Sequence, residues 1–428
     1  MLVCVVFVAS CAAPRKEEPK PAPVAPLPSK GITFAAVGDV MMGTDYPSNI
    51  LPDDDGVGFL ANVAPILSAA DVTFGNLEEV LMDGGEPVKR CKPPPKKQKK
   101  KEPKGPGDVN PPAPQTEPAP VPEESAPAAQ ASAGAKDAGD DQRRTDGQAP
   151  AAASGSSPSS GSSSAPQPAT AGSCYVFRSP TRYATYLRDA GFDVMSLANN
   201  HAQDFGDAGR DSSMRALDDV GIRHSGRDGD VAEWTTNGRR FALVAFAPNV
   251  GSHQLNDLDR ARQIVTDLAA HHDIVVVSFH GGSEGEGAST LPFAHEIYQG
   301  EDRGDVVEFA HAVVDAGADI VLGSGPHVLR AIELYGDRLI AYSLGNFATY
   351  YGISVNGIRG IAGILTTRLA DDGRFLDARL DSTIQIRPAG PSLDPERRAV
   401  AQLRELTGTA FPQGHLTIED DGRIVPRH

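Results

Sequence analysis

At 428 residues the chain has length for two or three domains, but 40% hydrophobic content and a mean hydropathy of −0.28 are averages over a long Pro/Ala/Ser/Lys stretch that cannot pack. The remainder can bury a full core as one domain with an insertion. The net charge of −16, with its basic run Lys96 to Lys104 confined to that stretch, argues against nucleic acid or acidic lipid as a general partner, so an anionic substrate must be drawn by a local cation.

The chain opens on a short apolar run, residues 1–11, too brief to span a bilayer and read as an export signal. Val8-Ala9-Ser10-Cys11 resembles the bacterial lipobox, which would make Cys11 the lipidated N-terminus, although no Lys or Arg precedes the run. Residues 12–30 then form a Pro/Lys/Glu tether. The predicted domain occupies 31–91 and 173–390, interrupted by a low-complexity insertion at 92–172 and followed by a C-terminal extension at 391–428. The insertion has almost no large apolar residue and reads as a disordered, solvated spacer. Of four cysteines, Cys91 and Cys174 bracket it. In an oxidising compartment their pairing would staple the loop's base; otherwise they are two unrelated thiols. No CxxC or Cys/His zinc spacing occurs.

Within the domain, Ile32 to Val37 reads as a strand, Gly58 to Ala70 as a helix, and Val72 to Phe74 as a second strand. Pro180 to Ala190 is a helix with Pro at its start and Gly191 at its end, followed by strand Val194 to Leu197 and helix Gly209 to Val220. Phe241 to Phe246, Ile274 to Phe279 and Ile320 to Leu322 lack strict alternation, as strands buried on both faces do. Between the last two, Val306, Phe309, Ala310, Val313 and Val314 form a helical stripe over Arg303 to Ala316. Arg338 to Tyr342, Ile361 to Arg368 and Ala378 to Ile386 alternate around Asp371-Asp372-Gly373 and are expected to be antiparallel strands closing a second sheet.

Metal-capable side chains recur at the C-terminal ends of these strands, where open α/β sheets gather ligands: Asp39 after Gly38, Glu78 after Asn76-Leu77, Asn200 and His201, His280 before Gly281-Gly282, and His327 after Gly325-Pro326. Asp39, Glu78 and either lone His are weak signals alone, since a turn carboxylate or a structural imidazole is ordinary, whereas Asn199-Asn200-His201 is more specific, an amide oxygen beside an imidazole at a strand end, against a helix cap and surface His. Together they form a mixed oxygen/imidazole set for one or two divalent ions, with Mn, Fe and Zn all compatible. His201 is then free to protonate a leaving oxygen, with Asp204 orienting its ring. Asn346, in Ser343-Leu344-Gly345-Asn346-Phe347, either supports the ligands from behind or makes a turn. No GxxxxGK[ST] segment is present, which argues against an ATP site.

In this order the clusters resemble the CapA-type capsule (poly-γ-glutamate) synthesis family of the calcineurin-like metallophosphatase superfamily, over about Ile32 to Cys91 and Tyr175 to Pro388. Ser196 to Ala202, Gly317 to Val328 and Tyr342 to Phe347 carry the resemblance. It implies a four-layer αββα sandwich, Asp39, Glu78, Asn200, His280 and His327 at metal-site positions, His201 as the acid, and a role in making, anchoring or releasing an anionic envelope polymer. Two departures stand out. Met41 occupies the His place of an Asp-x-His pair, and Gly325-Pro326-His327 replaces a His-Pro-His, removing one imidazole from a two-ion site.

The leading expectation is a lipid-anchored envelope protein, at the cell surface or on the periplasmic side of the outer membrane, with a metal-dependent phosphoesterase-like hydrolase or transferase site. Its partners would be an anionic polymer or phosphoester, capsule-export proteins and the membrane through its anchor. The alternative is a non-catalytic binding or assembly module for capsule export, which the missing imidazole favours.

Overall fold

The computed structural model describes residues 31–89 and 175–427. The export signal, the tether, Cys11, Cys91, Cys174 and most of the insertion lie outside the described residues. In chain order the strands of the two large sheets are β1 (Ile32–Met41), β2 (Val72–Leu77), β3 (Val194–Ser196), β4 (Arg223–Ser225), β5 (Ala232–Thr236), β6 (Arg239–Ala247), β7 (His253–Gln254), β8 (Ile274–His280) and β9 (Ile320–Ser324). After them come β10 (Ile332–Tyr335), β11 (Arg338–Ala341), β12 (Asn346–Thr349), β13 (Ile361–Leu369), β14 (Phe375–Gln385), β15 (Pro391–Leu393), β16 (Leu416–Ile418) and β17 (Arg423–Pro426). The α-helices are α1 (Ala64–Leu67), α2 (Tyr183–Ala190), α3 (Gly206–Asp219), α4 (Leu258–Ala269), α5 (Val306–Asp315) and α6 (Arg398–Ala410).

Two sheets face each other. The first has ten strands in the order β16-β17-β14-β13-β1-β2-β3-β4, with β12 also on β1 and β15 on β14. The second has seven, β10-β11-β9-β8-β6-β5, with β7 on β6. Alternate residues of each strand serve different layers. Phe34 and Ala36 of β1 join Leu243, Ala245 and Val276 of the second sheet in one core, while Ala35 and Val37 pack with Leu67, Leu187 and Leu217 of α1, α2 and α3. On the other side Val275, Val277 and Phe279 of β8 meet Val265 of α4 and Phe309 of α5. Strands buried on both faces must be apolar at both parities, which is why their sequences show no alternation. The layers are therefore helix, sheet, sheet, helix, the predicted αββα sandwich.

Three expectations change. The helix expected over Gly58 to Ala70 shrinks to α1, because Pro65 fits only a helix's first turn, and the Asp54 carboxylate holds the preceding chain as turns by accepting from the N–H groups of Gly56 (3.0 Å) and Gly58 (2.7 Å). The strands expected to close a second sheet separate: β11 pairs parallel with β9 there, whereas β13 and β14 form a hairpin that adds antiparallel to β1 in the first sheet. Alternation marks such strands as half-buried but does not say which sheet edge accepts them. Residues 391–427, set apart above as an extension, continue the first sheet through β15 and β17 on β14, and Ala399, Val400 and Leu403 of α6 enter the inter-sheet core.

Candidate functional site

The sheets bring their C-terminal strand ends together. β1 runs beyond the predicted Val37 to Met41 because it keeps pairing, parallel to β2 on one side and to β12 on the other. Asp39 is thus held inside a strand, in register with Asn76 and with Asn346. A Cβ on Gly38 would fall 1.9 Å from the Gly345 carbonyl oxygen, so only glycine lets the two backbones meet here.

Asp39, Glu78 and His280, all fully buried, offer ligand atoms within 4.8 Å of one another. Asn76 Nδ2 bridges the carboxylates, donating to Asp39 Oδ1 at 2.9 Å and to Glu78 Oε2. Asn199 Nδ2 donates in turn to Asn76 Oδ1 at 3.1 Å and to the Leu77 carbonyl at 2.8 Å. On the opposite sheet, Ser324 Oγ donates to the Phe279 carbonyl (3.2 Å) and so receives its 3.1 Å contact from the Nδ1–H of His280. That fixes the tautomer and leaves His280 Nε2 as a lone-pair donor.

Glu78 Oε1, His280 Nε2 and Asn200 Oδ1 are buried and have no hydrogen-bond partner among the described residues. Orphaned buried polar atoms are rare, and three on predicted ligands fit a bound cation. The electrostatics agree. Burial, with Asp39 beside it, pushes the Glu78 carboxyl well above the usual range. Burial, followed by the charges of Arg303 and His327, holds the His280 imidazole well below its own. A divalent ion would relieve both groups.

His327 does not join the converging triad. It adopts a left-handed φ of 59°, and its Nδ1 donates to Asp39 Oδ2 at 2.9 Å and approaches Asn346 Oδ1 at 3.1 Å. Burial alone would lower this imidazole, but the Asp39 carboxylate, helped by Glu78 and Glu284, holds it at about 9, so it stays charged. Asn346 braces the same turn by donating to the His327 carbonyl at 3.1 Å.

His201 and Asp204 meet as expected, Nδ1 to Oδ2 at 2.7 Å, with His201 5% and Asp204 0% exposed. Asp204 Oδ2 also accepts from the Phe177 N–H at 2.8 Å, and Lys89 Nζ lies 2.8 Å from Asp204 Oδ1. The Phe177 ring covers the imidazole at a centroid distance of 4.3 Å. Burial lowers the His201 pKa, Asp204 opposing and Lys89 adding to it. Asp204 stays ionised because His201 and Lys89 outweigh its burial. Lys89, His201, Asn200 and His327 line one cleft of about 710 Å³ with Glu284 and Arg303.

Of the residues named from the sequence, the structure brings together Asp39, Glu78 and His280, and His201 with Asp204. Sequence reasoning missed Asn76, Asn199 and Ser324, which orient the ligands, and Lys89 and Arg303. Asn199 and Ser324 had a visible signal in their position beside predicted ligands; Lys89 and Arg303 had none.

The family described as bacterial capsule synthesis protein PGA_cap matches residues 33–100 and 161–351, more than half of the chain. The chain is 32% identical over 181 residues to the capsule biosynthesis protein CapA of Bacillus anthracis, covering 38% of this chain and 41% of that protein. It is 33% identical over 178 residues to the PGA biosynthesis protein CapA of Bacillus subtilis, covering 38% and 43%. The chain thus spans less than half the length of these curated relatives. A solved structure titled as a putative 5'-nucleotidase from Staphylococcus aureus aligns with a TM-score of 0.31 and 12% identity, over 52% of this chain and 43% of that one. On the match over residues 33–100 and 161–351, this chain belongs to the bacterial capsule synthesis protein family PGA_cap.

Proposed function

We propose that this protein is a lipid-anchored component of the bacterial cell envelope with a metal-dependent hydrolase or transferase site, acting on an anionic envelope polymer or a phosphoester during capsule production, anchoring or release. The observation that carries the reading is the convergence of buried Asp39, Glu78 and His280, with orphaned Glu78 Oε1, His280 Nε2 and Asn200 Oδ1, behind a cleft lined by Asn200, His201 and His327. Family membership, and relatives named for capsule and PGA biosynthesis, support the envelope polymer.

Asp39, Glu78, His280 and Asn200 would hold a divalent ion of the Mn, Fe or Zn kind, with His327 fixing the second oxygen of Asp39. Such an ion supplies Lewis acidity to a bound oxygen and lowers the pKa of water. The chain's own part is the proton. Asp204 holds the Nδ1–H of His201, so the neutral ring presents Nε2 as a lone pair that would take a proton from the attacking nucleophile and, as the imidazolium Asp204 stabilises, return it to the departing oxygen. Phe177 covers the ring and limits access of water to it.

A non-catalytic assembly module is the second reading, and Gly325 favours it, because its backbone admits no imidazole at that position (φ +113°, with a Cβ 2.7 Å from the Gly281 carbonyl oxygen). Metal content of the purified protein by mass spectrometry, with phosphodiester turnover in added Mn²⁺, separates the two. Bound metal with metal-dependent turnover that His201→Gln removes supports the enzyme. Absence of turnover with Mn, Fe and Zn alike transfers the reading to the module.

A further inference from the structure

Arg303 is 1% exposed, yet it lines the cleft. Its backbone is locked, the N–H donating to the Glu296 carbonyl at 2.8 Å and the carbonyl accepting from Gly282 at 2.9 Å. Nη1 reaches Glu284 Oε1 and Glu301 Oε2, both at 3.2 Å, while Nε and Nη2 find no hydrogen-bond partner among the described residues. A guanidinium does not deprotonate in a protein, so this is a permanent buried charge with unused donors.

Its neighbour across the cleft floor is Gly325. A Cβ there would lie 2.7 Å and 2.9 Å from the Gly281 carbonyl oxygen and N, and 3.1 Å from Arg303 Nη2. Any side chain at 325 would have to displace both a backbone and the guanidinium. The remaining imidazoles of the cleft are turned by their Nδ1 atoms, His201 onto Asp204 and His327 onto Asp39, and neither joins the group of three. Among the described residues a single group of three, Asp39, Glu78 and His280, is arranged to hold a metal.

We infer that the centre takes one divalent ion, and that Arg303 supplies the second positive charge, binding a phosphate-class oxyanion of the substrate against the ion. The anion takes the place of Glu301 on Nη1 and completes the paired contact with the unused Nη2. This deepens the hydrolase reading above and rests on it. Planar paired donors suit a phosphate oxyanion, and a fixed cation needs no ligands of its own, which the closed backbone at 325 cannot provide.

The test uses the full chain loaded with Mn²⁺, with metal content by mass spectrometry and inorganic phosphate binding by titration calorimetry. One ion per chain is expected, with phosphate bound about tenfold or more weakly by Arg303→Met, at an affinity between that variant and wild type by Arg303→Lys, which keeps the charge but not the paired donors, and more tightly by Glu301→Gln. Two ions per chain, wild-type phosphate affinity in Arg303→Met, or glutarate in place of phosphate as the Arg303-dependent ligand overturns the inference. Should Arg303→Met fail to fold, Glu301→Gln decides, and an unchanged affinity overturns it. A chain that takes up no ion defeats the hydrolase reading and this inference together; a one-ion chain whose phosphate affinity ignores Arg303 defeats this inference alone.

Discussion

Two corners of the cleft differ in how their polar atoms are satisfied. At the His201 corner Asp204 Oδ2 takes the His201 Nδ1–H and the Phe177 N–H, and Asp204 Oδ1, without a hydrogen bond among the described residues, is met by the Lys89 ammonium as an ion pair at 2.8 Å. At the Asp39 corner Asn76 and Ser324 aim the ligands, yet Glu78 Oε1 and His280 Nε2 are left buried and unpaired. Leaving a buried polar atom unmade costs roughly 1–3 kcal/mol, so unpaired atoms on the most metal-capable residues are compatible with a cation bound there. Under the proposed function, the first corner would handle a proton and the second would receive an ion.

The contrast breaks most sharply with His280→Ala, which is expected to abolish metal retention through gel filtration while circular dichroism shows the fold intact; unchanged metal content would remove His280 from the centre. Asp204→Asn addresses the other corner. It keeps the shape but reverses the tautomer preference of His201, and turnover should fall about a hundredfold or more with metal content unchanged. Addition of Mn²⁺ should raise unfolding stability by about 3 kcal/mol at a hundredfold excess over Kd in the wild type, and by nothing in His280→Ala, as read by thermal melts.

The smallest effect lies outside both corners. Asp319 accepts from the Val275 N–H at 2.7 Å, and burial holds its carboxyl up at about 6 against an ordinary 3.8. The folded chain therefore binds this proton more tightly than the unfolded one. The stabilisation is complete below about pH 4 and is lost as pH rises through about 6, amounting to at most about 3 kcal/mol. Asp319→Asn should flatten the stability profile across that window without touching metal content.

Much of this was legible one strand at a time. Val, Ile and Phe runs ending in Asp39, Glu78 or His280 announce both the doubly covered strand and the ligand beyond it, and the three-residue spacing from His201 to Asp204 survives as a real contact because it spans one turn of local chain. The rest was not legible. Which sheet accepts β13 and β14 depends on which edge β1 leaves open, and an alternating segment looks the same for either. The ends of β1 and β2 were missed because Asp39 and Asn76 are poor strand formers held in place by parallel neighbours on their flanks.

The sequence by itself determined the alternating α/β class and the residue types at the strand ends, since burial on both faces and the chemistry of carboxylates and imidazoles are written in local composition, while the four-layer order was implied by the family resemblance. The tertiary structure alone decided which of those residues converge. It brought Asp39 and Glu78 of one sheet to His280 of the other and turned His327 aside to brace Asp39. It also closed position 325 with the Gly281 backbone and set Arg303 against it. Side chains distant in sequence meet only through the packing of two sheets, and hydrogen-bond geometry at that junction separates a ligand from its support.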